Sequence, residues 1–316
     1  MKEELLRKNV ELSNFLHNYY GEEYPKFVEV MGKRLRPSIR VNSLKIEREE
    51  LRRRLISKGF KLVPVPFYED GFVVEELPGE IGNTVEHFVG YYYVQGLSSM
   101  IPPVLLNPAP GEKVLDIASA PGSKATQMAQ MMKNTGVIVA NDIDVERIKA
   151  LSNNIDRMGV LNTIVTLEQG YRFGQLYPDT FDRVLIDAPC SALGTLNKNM
   201  EIVKWWGREK IGRLMGAQKS LILSGFDALK PGGLMVYSTC TITPEENEYI
   251  VNYLLKERNN AEILDFQLPG VVFRSALIHW ERFYFHPSIA KCKRIETHHN
   301  PDFEGFFIAL VKKLPS

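Results

Sequence analysis

From residue 112 onward the apolar positions follow two alternating periods. Short apolar runs, KVLDI at 113–117, GVIVAND at 136–142, NTIVTL at 162–167, FDRVLIDA at 181–188 and GLMVYSTC at 233–240, have the length and β-branched content of buried strands. Between them apolar residues recur at helical spacing, at Ile148, Leu151, Ile155 and Met158 and again at Ile211, Leu214, Met215, Leu221, Ile222 and Phe226. Strands separated by amphipathic helices predict a doubly wound α/β fold, a largely parallel sheet with helices on both faces. Thr243, Pro244 and Glu246 are spaced as an N-cap, a proline in the first turn and the third residue of a capping box, which predicts a helix start there.

The first hundred residues follow no such alternation. Ile39 and Val41 in RLRPSIRVN alternate as in a strand, and residues 47–58 form a helical period with Leu51 and Leu55 inward and arginines outward. With Phe60, Val63, Phe72 and Val74 as core, this is a mixed α+β region. PPVLLNPAPGE concentrates proline ahead of the first central strand and marks a boundary, so residues 1–105 are expected to form a smaller region packed on a domain at 106–316. The opening MKEELLRKNVEL is charged and amphipathic, unlike a secretion leader, and no apolar run is long enough to span a membrane. There is no internal repeat or low-complexity segment.

Composition narrows the classes further. With 316 residues, 44% hydrophobic and 24% charged, the chain is ordinary globular material. Its three cysteines, Cys190, Cys240 and Cys292, are too few for a disulfide scaffold, and free thiols fit a reducing, cytoplasmic setting. A net charge of +1 argues against a nucleic-acid partner only as an average. Lys33 to Lys61 holds eleven bases against three acids, a local balance of +8, whereas Glu69 to Glu86 holds six acids and no base. The basic strand and helix could form a patch, or the helix could simply present a solvated face.

Candidate chemistry begins after the first central strand. ASAPGSK is a turn of small residues leading into a helix, a site where a ligand can approach the backbone at the sheet's carboxyl edge. It is neither a Walker loop nor a G-x-G-x-x-G turn. Asp142 ends the second strand, where a carboxylate can accept both ribose hydroxyls. The combination points to an adenosyl cofactor without a pyrophosphate, and S-adenosylmethionine fits.

Two cysteines end two further strands, in Asp187-Ala-Pro-Cys190 and Tyr237-Ser-Thr-Cys240, so both are predicted beside that cleft. A chemistry that uses thiols there is methylation of cytosine C5. A thiolate adding at C6 makes C5 nucleophilic, a group at N3 absorbs the developing charge, and a base must finally remove the C5 proton. Asp187, kept protonated by burial, is a candidate for N3. Spacing does not decide which cysteine attacks.

DIASAPGSK, ANDID, DRVLIDAPCSALG, YSTCT, EGFFIA and RPSIRVN together resemble the RsmB/NOP/Sun family of RNA cytosine-5 methyltransferases over about residues 36–311. The resemblance implies a Rossmann-like class I methyltransferase sheet, with Cys240 as nucleophile and Cys190 assisting product release. It implies S-adenosylmethionine contacts from Ala118, Ser119, Ala120, Pro121, Gly122, Ser123 and Lys124, from Asp142 and Arg147, and from Asp187. Arg36 and Arg40 match the RNA-binding segment. The RNA implied by this minimal build is a tRNA, with rRNA the alternative, and no feature points to an obligate protein partner. The family's Ala-Ala-Pro-Gly-Gly-Lys is here Ser119 to Lys124 with two small substitutions, and Glu168-Gln169-Gly170 replaces a common acidic residue near the adenine, so Gln169 is given no role. A Pro-His pair common near the C-terminus is inverted as His286-Pro287, which leaves that histidine without a carried-over role.

Trp205 and Trp206 follow the DAPC loop and could stack on a flipped base or pack a helix. The Tyr91 to Tyr93 run reads as a segment bridging the two regions, Cys292 as a structural thiol, and His298-His299 lacks the ligand spacing of a metal site, so none is assigned. Two rivals remain. An exocyclic-amine methyltransferase would carry Asn/Asp-Pro-Pro-aromatic instead of DAPC, and a non-catalytic RNA-binding or ribosome-assembly protein would have lost a motif cysteine or Asp187.

Overall fold

The computed structural model describes Glu4, Leu6 and residues 8–315. The amphipathic reading of the first residues therefore falls partly outside the described residues. Helices α1 (Val10–Tyr20) and α2 (Tyr24–Val30) bury Leu12, Phe15, Leu16, Tyr20 and Phe27 in the same apolar core as Val184, Ile186, Tyr237 and Phe307 of the main sheet. Asn9 caps α1, and its side-chain amide donates to the carbonyls of Val203 and Trp206 at 3.0 and 2.9 Å. Residues 9–30 are thus stitched to the part of the chain that carries the main sheet.

Next comes a small antiparallel sheet of β1 (Ser38–Val41), β2 (Lys61–Pro64), β3 (Gly71–Glu76) and β4 (Tyr92–Val94) in the order β2-β3-β1-β4, covered by α3 (Arg48–Ser57). Leu51 and Leu55 face inward as expected, with Phe60, Phe72 and Val74. Leu62, rather than Val63, completes that core, because alternation along β2 turns Val63 to the other face. Tyr92 lies in this core and Tyr93 in the core of the main domain, so the tyrosine run bridges the two.

The proline-rich segment begins inside helix α4 (Leu97–Leu106), which runs through Pro102 and Pro103, and continues from residue 107 as the loop that leads into the main sheet. Pro103 cannot donate to the Ser99 carbonyl, and the Gln95 side chain donates to it instead at 3.2 Å. Helix α4 packs on the main sheet and on α5 (Ser123–Met131).

The main sheet contains β5 (Lys113–Asp116), β6 (Val137–Asp142), β7 (Thr163–Leu167), β8 (Phe181–Asp187) and β9 (Leu229–Thr239), all parallel, in the order β9-β8-β5-β6-β7. Helices α6 (Val145–Met158), α7 (Arg208–Ala228) and α8 (Glu248–Glu257) complete its covering, and each predicted strand lies within a few residues of its expected place. Beyond β9 the sheet turns antiparallel: β10 (Ala261–Leu264) and β14 (Lys293–Ile295) share one side of β15 (Phe306–Lys313), whose other side pairs with β9, and β11 (Phe273–Ser275) pairs with β14. A small hairpin, β12 (His279–Trp280) and β13 (Phe283–Tyr284), stands apart. Strand order reverses between β5 and β8, the position where an open parallel sheet forms a crevice at its carboxyl edge.

Helix α8 starts at Glu248 behind Asn247, four residues later than the capping-box reading placed it. Pro244 to Asn247 form a turn, and Glu246 points its side chain elsewhere, to a partner remote in sequence.

Candidate active site

At the carboxyl edge of β5 and β8 lies a cavity of about 500 Å³. Ala118 and Ala120 line it from the turn after β5, Asp142 and Arg147 from the end of β6 and the start of α6, and Asp187, Cys190 and Cys240 from the ends of β8 and β9. Ser119, Pro121, Gly122, Ser123 and Lys124 form the turn behind this wall and the start of α5. Gly122 takes φ +99°, and a Cβ there would meet the Leu151 side chain at 2.8 Å, so a residue without a side chain is required. Asp142 accepts from the Ala120 amide at 3.2 Å, and Arg147 donates to the Ala120 carbonyl at 2.6 Å, fixing the turn against α6.

Several residues of this cavity were not found from the sequence. Gln169, left without a role, lines it together with Gly170 and Tyr171, and α7 contributes Gly216, Ala217 and Ser220. The small residues at 216, 217 and 220 share one face of α7, a pattern visible in the sequence but indistinguishable there from ordinary helix packing. Asp116, which ends β5, is buried beneath the turn, and neither its carboxylate oxygens nor the Ser119 hydroxyl has a hydrogen-bond partner among the described residues. Burial pushes the Asp116 carboxyl up to about 7, with Asp187 and Asp142 adding to the rise.

Cys190 and Cys240 lie side by side, sulfur to sulfur at 3.3 Å. Their surroundings differ. Lys124 reaches across from α5 and donates to the Asp187 carboxylate at 2.5 Å, while the Ser238 hydroxyl donates to its other oxygen at 2.8 Å. Burial opposes the Lys124 charge, yet Asp187, Asp116 and the Cys240 sulfur together hold its pKa above the ordinary lysine value. Cys190 is pushed well above the usual thiol range, by the contact with Cys240 first, then by burial and by the negative charge of Glu246. A charge on Cys240 therefore faces a cation, and a charge on Cys190 faces a carboxylate. Asp187 is half-buried and accepts one hydrogen bond on each side-chain oxygen, from Lys124 and from Ser238.

The loop after Cys190 is closed by a tight glycine contact. Gly194 donates to the Cys240 carbonyl at 2.9 Å, Gly305 donates to the Gly194 carbonyl at 2.8 Å, and a Cβ on Gly194 would fall 2.0 Å from the Gly305 oxygen. The EGFFIA segment thereby braces the cysteine loop.

The model of a family described as 16S rRNA methyltransferase RsmB/F matches residues 103–312, and that of the N-terminal domain of 16S rRNA methyltransferase RsmF matches residues 11–96. The chain belongs to the RsmB/F methyltransferase family. It is 41% identical over 293 residues to the tRNA (cytosine(49)-C(5))-methyltransferase of Pyrococcus abyssi, covering 92% of this chain and 93% of that protein. It is 42% identical over 297 residues to ribosomal RNA small subunit methyltransferase F of Vibrio cholerae, of which it spans 60%. A crystal structure of a methyltransferase homolog protein from Pyrococcus horikoshii superposes with a TM-score of 0.85 at 36% identity, covering 99% of this chain and all of that one.

Within the RsmB/F frame, the two arginines read as RNA-binding part company. Arg40 is fully buried under β1, donating to Gln95 and Gln130 side chains at 2.9 and 2.7 Å and to Thr126 at 2.8 Å, so it ties the small sheet to α5 and cannot touch RNA. Its place in a strand with both faces covered puts it inside. Arg36 is at the surface, where its guanidinium holds Asp302 and Glu75. It lines a second cavity, of about 580 Å³, with Arg34, Lys198 and Glu304. Trp206 packs against Phe15 in the core, and the exposed Trp205 lies under Lys210. Cys292 is buried, and burial pushes its thiol far up. His286 sits outside the cavity, bonded to Ser288. His298 and His299 are joined by Glu23, and Arg274 takes the same carboxylate at 2.6 Å. Among the described residues no helix is long and apolar enough to cross a membrane.

Proposed function

We propose that this protein methylates C5 of cytosine in RNA with S-adenosylmethionine, through a covalent bond between Cys240 and cytosine C6. The observation that carries the reading is the pair of sulfurs 3.3 Å apart at the ends of β8 and β9, one facing Lys124 and the other Glu246. The residues fit the cofactor. Asp142 suits ribose hydroxyls, Ala118, Ala120 and Gln169 line the remaining wall, and Asp116 and Ser119, buried and unpartnered behind that wall, supply negative and polar character on the side where an ammonium group would sit. When bound, S-adenosylmethionine supplies an electrophilic methyl group at the cytosine C5 position.

The chain's own groups do the rest. Cys240, the sulfur on the Lys124 side of the pair, adds at C6. As charge moves to N3, the Lys124–Asp187 pair lies ready to supply a proton there, and the Asp187 carboxylate accepts from the amino group at C4. Cys190 assists departure of the Cys240 sulfur once C5 carries its new substituent. The base must leave its stack to enter, so the target lies in a loop or an openable site. A tRNA is the favoured substrate, as the name of the 41% identical Pyrococcus abyssi relative suggests, with rRNA, named for the 42% identical Vibrio cholerae relative, as the alternative. Residues 1–105 would carry the RNA, with Arg36 at the surface, and the protein would work in the cytoplasm.

With labelled cofactor and RNA, Cys240→Ala is expected to transfer no methyl and form no adduct, while Cys190→Ala accumulates a protein–RNA complex stable to denaturant. Transfer by Cys240→Ala and none by Cys190→Ala would reverse the assignment. Mapping 5-methylcytosine in tRNA and in 16S rRNA with and without the gene separates the two substrates.

A further inference from the structure

Cys190 and Cys240 both lie beyond the last ladder hydrogen bond between β8 and β9, so the parallel sheet does not by itself set their separation. A buried polar cluster does. Glu246 accepts from the Ser191 amide at 2.8 Å on one oxygen and from the Ser191 hydroxyl at 2.5 Å on the other. Gln218 of α7 donates to the same carboxylate at 3.1 Å and to the Pro189 carbonyl at 2.8 Å. The residues on both sides of Cys190 are therefore gripped. The Ser191 hydroxyl also lies 2.8 Å from the Thr241 hydroxyl, next in sequence to Cys240. The Tyr237 hydroxyl, from within β9, donates to the Glu246 carbonyl at 2.7 Å and fixes the grip to the strand that leads to Cys240. Ser191, Gln218, Thr241 and Glu246 are all buried, so water does not compete for these bonds.

We infer that Glu246 is a positioning residue for product release, holding Cys190 against Cys240 through Ser191. The inference rests on the reading of Cys240 as nucleophile and Cys190 as release group. Once Cys240 is bonded to C6 it no longer carries the charge that opposes ionisation of Cys190, so Cys190 can give its own proton to water entering the site and then take the C5 proton onto its sulfur. The electron pair left behind re-forms the C5–C6 double bond, and the C6–S bond breaks onto the Cys240 sulfur. Cys240, Lys124 and Asp187 make no hydrogen bond to Glu246, so bond formation and methyl transfer do not depend on it, whereas release does. Misplacement of a reacting group by about 1 Å can cost on the order of 10²-fold in rate.

The test uses the full-length protein with labelled S-adenosylmethionine and unmodified transcripts of tRNA and 16S rRNA, taking whichever the wild type methylates. Glu246→Ala is expected to keep the single-turnover methyl burst, to lose about 10²-fold in steady-state turnover, and to accumulate a denaturant-stable RNA adduct that the wild type does not. Glu246→Gln, which preserves the shape and the acceptor for the Ser191 amide, is expected to restore most of the turnover. Wild-type turnover without adduct in Glu246→Ala, or burst and turnover falling by the same factor, would overturn the inference. If Glu246→Ala does not fold, Ser191→Ala decides by the same two readouts. An adduct that persists in Glu246→Ala/Cys240→Ala would instead sink the underlying nucleophile assignment.

Discussion

Asp116 is a buried carboxylate with no hydrogen-bond partner among the described residues, an arrangement that favours a ligand over the empty fold. Its folded pKa is raised to about 7, far above its unfolded value, so the stability it contributes is present below the unfolded pKa and is lost as pH rises through 7. Asp116→Asn is expected to stabilise the cofactor-free protein by roughly 2–4 kcal/mol at pH 8, much less at pH 5, and to weaken S-adenosylmethionine binding. Thermal denaturation at the two pH values and calorimetric titration check both halves. At this scale the meeting of Asp187, Cys190 and Cys240 in one cavity was readable, since all three stand at strand ends flanked by distinctive neighbours. Their partners were not. Lys124 was read only as a cofactor contact of the turn, although it is the cation beside Asp187 and Cys240, and Glu246 read as a helix cap because its true contact lies 55 positions away.

Elements were predicted well wherever a period ran long enough. The five parallel strands and the helices at 145–158 and 208–228 follow from alternation and helical spacing. Short signals left the local structure open: the proline pair that opens PPVLLNPAPGE lies inside α4, tolerated because Gln95 serves the freed carbonyl of Ser99. The same tertiary bonding governs β1. Arg40→Met would leave Gln95, Gln130 and Thr126 without their buried donor, and is expected to cost about 2–4 kcal/mol, read as a lowered unfolding midpoint, with no change in the salt dependence of RNA binding. On α7, Ala217 lines the cofactor cavity from an exposed position. Ala217→Leu should therefore leave the unfolding midpoint nearly unchanged while weakening cofactor binding by about tenfold or more, in line with the ~1–3 kcal/mol that overpacking costs.

Across the whole molecule, the basic stretch from Lys33 to Lys61 folds back on the acidic one that follows it. Pairing of β2 with β3 sets Lys61 against Glu75 and Glu76, Arg36 holds Glu75, Lys58 holds Glu86, and Arg52 to Arg54 pair with Glu49 and Glu50 along α3. Arg34 is exposed with no ion pair among the described residues and lines the second cavity with Arg36 and Lys198. Neutralising Arg52, Arg53 and Arg54 together is expected to change RNA affinity little, whereas Arg34→Gln should lower the salt slope of binding by about 1, measured by filter binding across a salt series. The +8 count was a property of a segment, and folding redistributed it. The succession of strands and helices along the chain and the placing of Cys190 and Cys240 at two strand ends were set by the sequence alone, because periodicity and motif spacing are local. Tertiary structure alone decided which arginine is buried, that Lys124 faces Cys240 and that Glu246 grips the Cys190 loop. Those contacts join residues 50 or more positions apart, and only burial in a shared core makes their charges and hydrogen bonds strong enough to matter.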